Sequence, residues 1–353
     1  MNEINKLIER INDLEKENAE LGKWQASVNK MLDGILNLVS QISDNKEDKK
    51  VIENELRELW QYVHINRYRI DSLPYELQDP DYKSFYFKPH ILSRKETIRQ
   101  ISEERKSISR FGDGEFAAIV GQKRWNFQGE SELLSARLTE ILVSDNEDLL
   151  IGLHPTFYMN LFDVPEEQAD GVRAYMHPMV RRLHAQLLDR NRTYGNALFH
   201  NMESAEEVQD IKKIWDERDC IFVEGIHTGM GVGNDLFDNC KSIKRILGPA
   251  ENAIDRYDEI LNEALKQPKD KLMLLALGPT ATVLAYDLFK NGYQAIDIGH
   301  ADLIYEAYIR RTYDINKIEI PYKYCRVDEC VEGRVIEDID DNSYRSQIIA
   351  VIE

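Results

Sequence analysis

Cysteine is scarce. The 353 residues hold four thiols, Cys220, Cys240, Cys325 and Cys330, and only the last two are close in sequence. With no second closely spaced pair they form neither a zinc motif nor a disulfide framework, and they read as reduced thiols. Long apolar runs are missing too. No stretch approaches the roughly 20 residues of a membrane span, and the polar start Met1 to Lys6 lacks a signal-peptide core. The expected protein is cytoplasmic, with no membrane span. Basic charge is in deficit: 45 Lys and Arg stand against 63 Asp and Glu, a net charge of -18. That excludes a general nucleic-acid binder, which needs clustered cations against phosphates. A nucleotide held through a metal remains open. What is present, 42% hydrophobic and 31% charged residues, suits one large domain with a real core plus an appendage.

The most informative segment is Ser109-Arg110-Phe111-Gly112-Asp113-Gly114-Glu115. Two carboxylates lie one residue apart between glycines, directly after the apolar stretch Ile108 to Phe111. On a glycine-relaxed turn at a strand end such a pair can converge on one hard cation, which then takes phosphate oxygens as further ligands. An ordinary acidic turn has the same composition, because Asp and Gly favour turns for conformational reasons.

The appendage is N-terminal. Ile4, Leu7, Ile11, Leu14, Asn18, Leu21, Gln25, Val28, Leu32, Ile35, Val39 and Ile42 alternate by three and four residues, a heptad seam. Early isoleucines at a, leucines at d and a polar Asn18 favour a parallel homodimer. An amphipathic helix folded back on the rest of the chain or on a partner is the other reading, and Gly22 and Gly34 weaken the helix. A second helical series follows from Val51 to Val63, with a break at Ser72-Leu73-Pro74.

Beyond a helix near Ser93 to Lys106, apolar runs at Ile108–Phe111, Leu149–Leu153, Cys220–Val223, Ile243–Leu247, Leu272–Leu277 and Ala295–Ile298 read as buried strands. Helical spacing fills Glu130–Val143, Val172–Leu188, Ala205–Asp216, Arg256–Lys266 and Ala281–Asn291. This alternation predicts an α/β fold with a doubly wound, mainly parallel sheet. Ligands in such sheets lie beyond the carboxyl ends of the strands, so the post-strand loops carry the candidates.

Three of those loops stand out. Glu224 to Asp235 carries Gly225 and then, at every second position, Gly229, Gly231 and Gly233, which can bring backbone amides to a phosphate or simply make a mobile loop. It is not G-x-G-x-x-G, and no ribose-binding acid follows about twenty residues later, which disfavours a nicotinamide dehydrogenase. In Leu277 to Thr282, Gly278 relaxes the turn, Pro279 suits a first helical turn, and Thr280 or Thr282 offers a hydroxyl to a phosphate or ribose. Helix capping explains the same residues. In Asp297 to Asp302, Asp297, His300 and Asp302 can ligate, bind phosphate or move protons, or serve as a cap and a structural histidine. Asn252 and Arg256, near Gly248-Pro249-Ala250-Glu251, can meet a diphosphate or sugar.

Together, Arg110 to Glu115, Leu236-Phe237-Asp238-Asn239, Arg245 to Leu261 with Arg256-Tyr257-Asp258-Glu259, Leu277 to Ala281 and Asp297-Ile298-Gly299-His300 resemble the bacterial glycosyltransferases of the GT-D fold, formerly catalogued as a domain of unknown function. The likeness covers roughly residues 90 to 312. It implies a Rossmann-like GT-D domain, placed over 93–315; the coiled-coil segment read from the heptads (1–75), a linker (76–92) and a C-terminal extension (316–353) lie outside the likeness. It also implies transfer of a hexose, glucose above all, from a nucleotide diphosphate sugar such as UDP-glucose to a hydroxyl of a glycan or glycoprotein. The family's D-x-E metal motif matches Asp113 and Glu115, which would hold Mn2+ or Mg2+. Arg110, Phe111, Gly112, Gly114, Asn252, Arg256 and the Gly278 to Thr282 helix start, with Asp297, would line the donor. Asp302, His300 and Glu224 are the candidate general bases. One departure from the family pattern is Ala301 with Ile304-Tyr305-Glu306-Ala307, where a bulkier apolar residue and Tyr-Glu-Trp are expected, so acceptor choice is less determined than donor chemistry. Two other classes remain: a nucleotide-dependent methyltransferase or phosphohydrolase, and a non-catalytic assembly module built on the coiled coil.

Overall fold

The computed structural model describes residues 63, 65–70, 72, 88–120, 128–159, 161, 164–175, 186–312, 320, 322–323 and 337–352. The heptad seam lies outside the described residues, as does most of the linker. The described residues fall into two compact units, those within 1–84 and 161–178 and those within 85–160 and 179–353. In the smaller unit, Asp170 receives both Arg69 and Arg173, and Leu161, Ala169 and Val172 form an apolar cluster.

The larger unit is built on a parallel sheet. Its elements in chain order are β1 (His90–Ile91), α1 (Arg94–Ser102), β2 (Ser107–Phe111), α2 (Asp113–Ile119), α3 (Glu132–Leu142), β3 (Leu149–Leu153), β4 (Thr193–Asn196), α4 (Ala205–Lys212), β5 (Asp219–Gly225), β6 (Ser242–Gly248), α5 (Tyr257–Leu265), β7 (Leu272–Ala276), α6 (Pro279–Lys290), β8 (Gln294–Asp297), α7 (Ala301–Ile309), α8 (Asn342–Gln347) and β9 (Ile348–Val351). Helix starts follow their caps: Ser93, Ser131 and Ser204 each accept a backbone N–H three residues on, which satisfies one orphan donor of the first turn.

Among the described residues the sheet has nine strands, in the order β1-β4-β3-β2-β8-β7-β5-β6-β9, and every pairing is parallel. Strands β3 and β5 show why. Leu-Leu-Ile-Gly-Leu and Cys-Ile-Phe-Val-Glu-Gly are buried on both faces, so an unbroken apolar run replaces the alternation of a half-exposed strand. Winding proceeds from β2 through β3 to β4 on one side and reverses between β2 and β8, which pair through Ile108 and Ile296. Two pieces of chain outside the 93–315 boundaries join the sheet: β1 beside β4, and β9 beside β6. Among the described residues no helix is long and apolar enough to cross a membrane.

Candidate active site

The acid pair opens a helix. Asp113 is the first residue of α2, with Gly112 as its N-cap in extended conformation at φ -103. The glycine-relaxed turn expected from the sequence is therefore a strand-to-helix junction that needs no left-handed residue. Gly112 serves by being small: a Cβ there would lie 3.1 Å from Glu115 Oε2, the oxygen that accepts the Gly112 N–H at 2.7 Å. Gly114 sits between the two acids in the first helical turn. Burial, then the charges of Asp297 and Asp113, push the Glu115 carboxyl up to about 7, against the hydrogen bond from Gly112.

Arg110, in β2, is held by three elements. Its Nε donates to Ala197 O at 2.8 Å, its Nη1 stands 3.6 Å from Asp297 Oδ1, and its guanidinium covers Gly299, where a Cβ would collide with it. Gly299 takes φ +53, which glycine adopts at little cost. Asp297 ends β8. Burial raises its pKa above the usual carboxylate range, opposed by Arg110 and by the Thr282 hydroxyl. That hydroxyl lies 2.9 Å from Arg110 O and 3.1 Å from Asp297 Oδ2, and Ser109 Oγ donates to Thr282 O. The first turn of α6 is thus pinned to β2 and β8. Phe111 is fully buried and stacks on Phe116 of α2, with centroids 5.9 Å apart.

The other α6 residues frame the same end of the sheet. Gly278 takes φ +55 ahead of Pro279, and the buried Thr280 reaches Gln128 Oε1 at 3.5 Å. Asn252 adopts φ +53 and accepts the Gly129 N–H at 2.7 Å. Arg256 forms a bidentate pair with Glu259 at 2.6 and 2.7 Å on the exposed face of α5.

The glycine-rich loop after β5 has its amides occupied from within. Met230 N donates to Glu224 Oε2 at 2.7 Å, and Gly231 N to Asp302 Oδ1 at 2.9 Å. Internal carboxylates therefore stand where a phosphate would be cradled. Glu224 is fully buried and its other oxygen receives Arg245 at 2.5 Å; burial raises its pKa in spite of that partner. Asp302 receives Asn234 Nδ2 at 2.8 Å and the fully buried Lys323 ammonium at 2.6 Å. Of the three expected bases, Glu224 and Asp302 thus hold the loop, and His300, the cap of α7, is the one with an exposed side chain.

Two histidines that no motif marks also stand at this end. His154 directly follows β3, and His200 lies in the turn after β4. Each has a buried Nδ1 without a hydrogen-bond partner. Burial lowers the His154 pKa to about 4, with Asp113 opposing and Arg110 assisting; burial, Arg110 and His300 take His200 well below the usual value. The post-strand rule that singled out the other loops applies equally to Leu153-His154-Pro155.

Among the described residues no group of three or more His, Cys, Asp and Glu side chains is placed to hold a metal ion. The donor set nevertheless fits a hard divalent cation in kind. Asp113 and Glu115 offer carboxylate oxygens, and Asp297 and Asp113 both raise Glu115, an excess of negative charge that a cation would relieve.

Comparison with known proteins identifies the family. The family model described as "Glycosyltransferase GT-D fold" matches residues 108–327. A Streptococcus gordonii protein named "Probable glycosyl transferase Gly" is 34% identical over 274 residues, 74% of this chain and 38% of the relative. Glycosyltransferase GlyD of Streptococcus pneumoniae serotype 4 is 33% identical over 265 residues, 73% of this chain and 32% of the relative. The chain thus spans about a third of the length of these relatives. A solved structure described as a domain of unknown function 1792 with a distinct glycosyltransferase fold superposes with a TM-score of 0.68 at 32% identity, covering 77% of this chain and 98% of that one. Another, described as a new glycosyltransferase from Streptococcus sanguinis, gives 0.68 at 30% identity, with 75% and 100% covered. With the parallel sheet in agreement and a family match over most of the larger unit, the chain belongs to the GT-D fold glycosyltransferases.

Proposed function

We propose that this chain transfers a hexosyl group, glucose in the first instance, from a UDP-sugar to a hydroxyl of a glycan or glycoprotein. The observation that carries the reading is the acid pair at the start of α2, set beside Asp297 where the sheet reverses, in a chain of this family. Asp113 and Glu115 would hold Mn2+ or Mg2+, which when bound supplies Lewis-acid stabilisation of the leaving diphosphate. Arg110 adds a fixed cation that is already oriented by Ala197 and Asp297, so its placement costs no reorganisation during reaction. The start of α6, fixed by Thr282, directs the positive end of its helix dipole toward the carboxyl end of the sheet and favours an anion there. His300 is the remaining exposed candidate for taking the proton of the acceptor hydroxyl. The family match favours transfer over methyl transfer, phosphate hydrolysis or a purely structural role. Cytoplasmic location and dimerisation through the heptad seam complete the proposal.

The test is binding and turnover in Asp113→Ala and Glu115→Gln. The intact protein should rise in thermal midpoint with UDP-glucose and Mn2+ together, and both variants should lose that response and transfer activity. Near-intact transfer by both variants at saturating metal would overturn the reading.

A further inference from the structure

His154 is a polar group held in place by rings. Its imidazole lies on Phe157 with centroids 4.3 Å apart and planes 17° from parallel, and Phe157 packs at 6.1 Å on Phe116, the residue after Glu115 in α2. Stacking on Phe157 orients the ring relative to the acid pair, and Nδ1 is left buried without a hydrogen-bond partner. Buried polar atoms in native proteins are rarely left so; those that are commonly meet a ligand or water. The neighbourhood indicates which ligand. His154 ends β3, the strand paired with β2, and is within electrostatic reach of Asp113 and Arg110. An imidazole offers one donor and one acceptor, the complement of a hydroxyl.

We propose that His154 hydrogen-bonds a hydroxyl of the hexosyl group on the donor and so selects among sugars. This rests on the nucleotide-sugar reading above: with the diphosphate beside Asp113, hydroxyls of the ribose and of the hexosyl group flank it, and the binding of UDP alone tells the two apart. His200, whose Nδ1 is likewise buried without a partner, is also within electrostatic reach of Arg110.

Titration calorimetry of the full chain with Mn2+ tests the assignment, using UDP, UDP-glucose and the singly deoxygenated UDP-glucoses. The intact protein should bind one deoxy analogue about tenfold more weakly than UDP-glucose, the effect of one neutral hydrogen bond. His154→Phe keeps a flat ring for Phe157 and removes both nitrogens; it should erase that difference while binding UDP as tightly as before. His154→Asn, with an amide near the place of Nδ1, should restore part of it and carries the test if the Phe variant does not fold. Unchanged discrimination in the variants overturns the role of His154 alone, as does an equal loss of UDP and UDP-glucose binding. An intact protein that binds neither UDP nor UDP-glucose overturns the nucleotide-sugar reading itself.

Discussion

Arg110 Nη1 stands 3.6 Å from Asp297 Oδ1, tying the end of β2 to the end of β8 where the winding of the sheet reverses. Both groups are largely buried, and Arg110 is the cation that offsets the raised pKa of Asp297. Arg110→Ala leaves a buried carboxyl without its partner, so a loss of about 3 kcal/mol in denaturant unfolding is expected, together with loss of transfer. Arg110→Lys keeps the charge but cannot serve Ala197 O and Asp297 from one planar fork. Its initial rate should fall roughly tenfold with a smaller loss of stability. Equal rates for the Lys variant and the native protein would remove Arg110 from the site.

Lys323 is fully buried, 2.6 Å from Asp302 and 3.8 Å from Glu306, and Asn234 reaches both acids. Lys323→Met should cost about 3 to 5 kcal/mol, because two buried carboxylates lose their shared countercharge. Hydrogen exchange locates the effect: the Gly231 amide, bonded to Asp302, should exchange faster than the amides of β3.

The alternating glycines of the loop carry positive φ at Gly229, Gly231 and Gly233. A Cβ at Gly233 would run into the Tyr322 hydroxyl. Gly233→Ala is expected to destabilise by about 2 kcal/mol through left-handed strain and this clash. Adding Tyr322→Phe should recover only part, since it removes the clash and leaves the strain. Thermal midpoints of the single and double variants separate the two terms.

Acid should expose the cost of burying His154. Its pKa is about 4 in the folded protein against 6.5 as reference. The unfolded chain then binds more protons between those values, so stability contributed by the neutral ring is full above about 6.5 and is lost as pH falls toward about 4. The loss is at most about 3 kcal/mol. His154→Phe should lack this component, seen as a flatter difference in unfolding free energy between pH 7 and pH 4. Parallel profiles for the two proteins would show that the ring is not held neutral by the fold.

Local pattern determined much of this protein. The apolar runs of β2, β3, β5, β6, β7 and β8 were legible because strands buried on both faces must be continuously hydrophobic. The acid pair was legible as well, as were Gly278-Pro279 ahead of α6 and the family likeness. The heptad seam falls on residues outside those described. Strands β1, β4 and β9 were not legible: His90-Ile91 is too short, Thr-Tyr-Gly-Asn has no apolar run, and Ile348 to Val351 is an edge strand far from the rest in sequence. Their pairing depends on neighbours that no local window contains. The glycine loop marks the division clearly. Its spacing announced unusual backbone, but only the fold decided that Glu224 and Asp302 occupy the amides. In the same way Arg110, Asp113, His154 and Asp297 are ordinary residues in a linear chain. Strand order brings β3, β2 and β8 side by side, and since charge and burial act through space, that adjacency is what lets these residues act on one another.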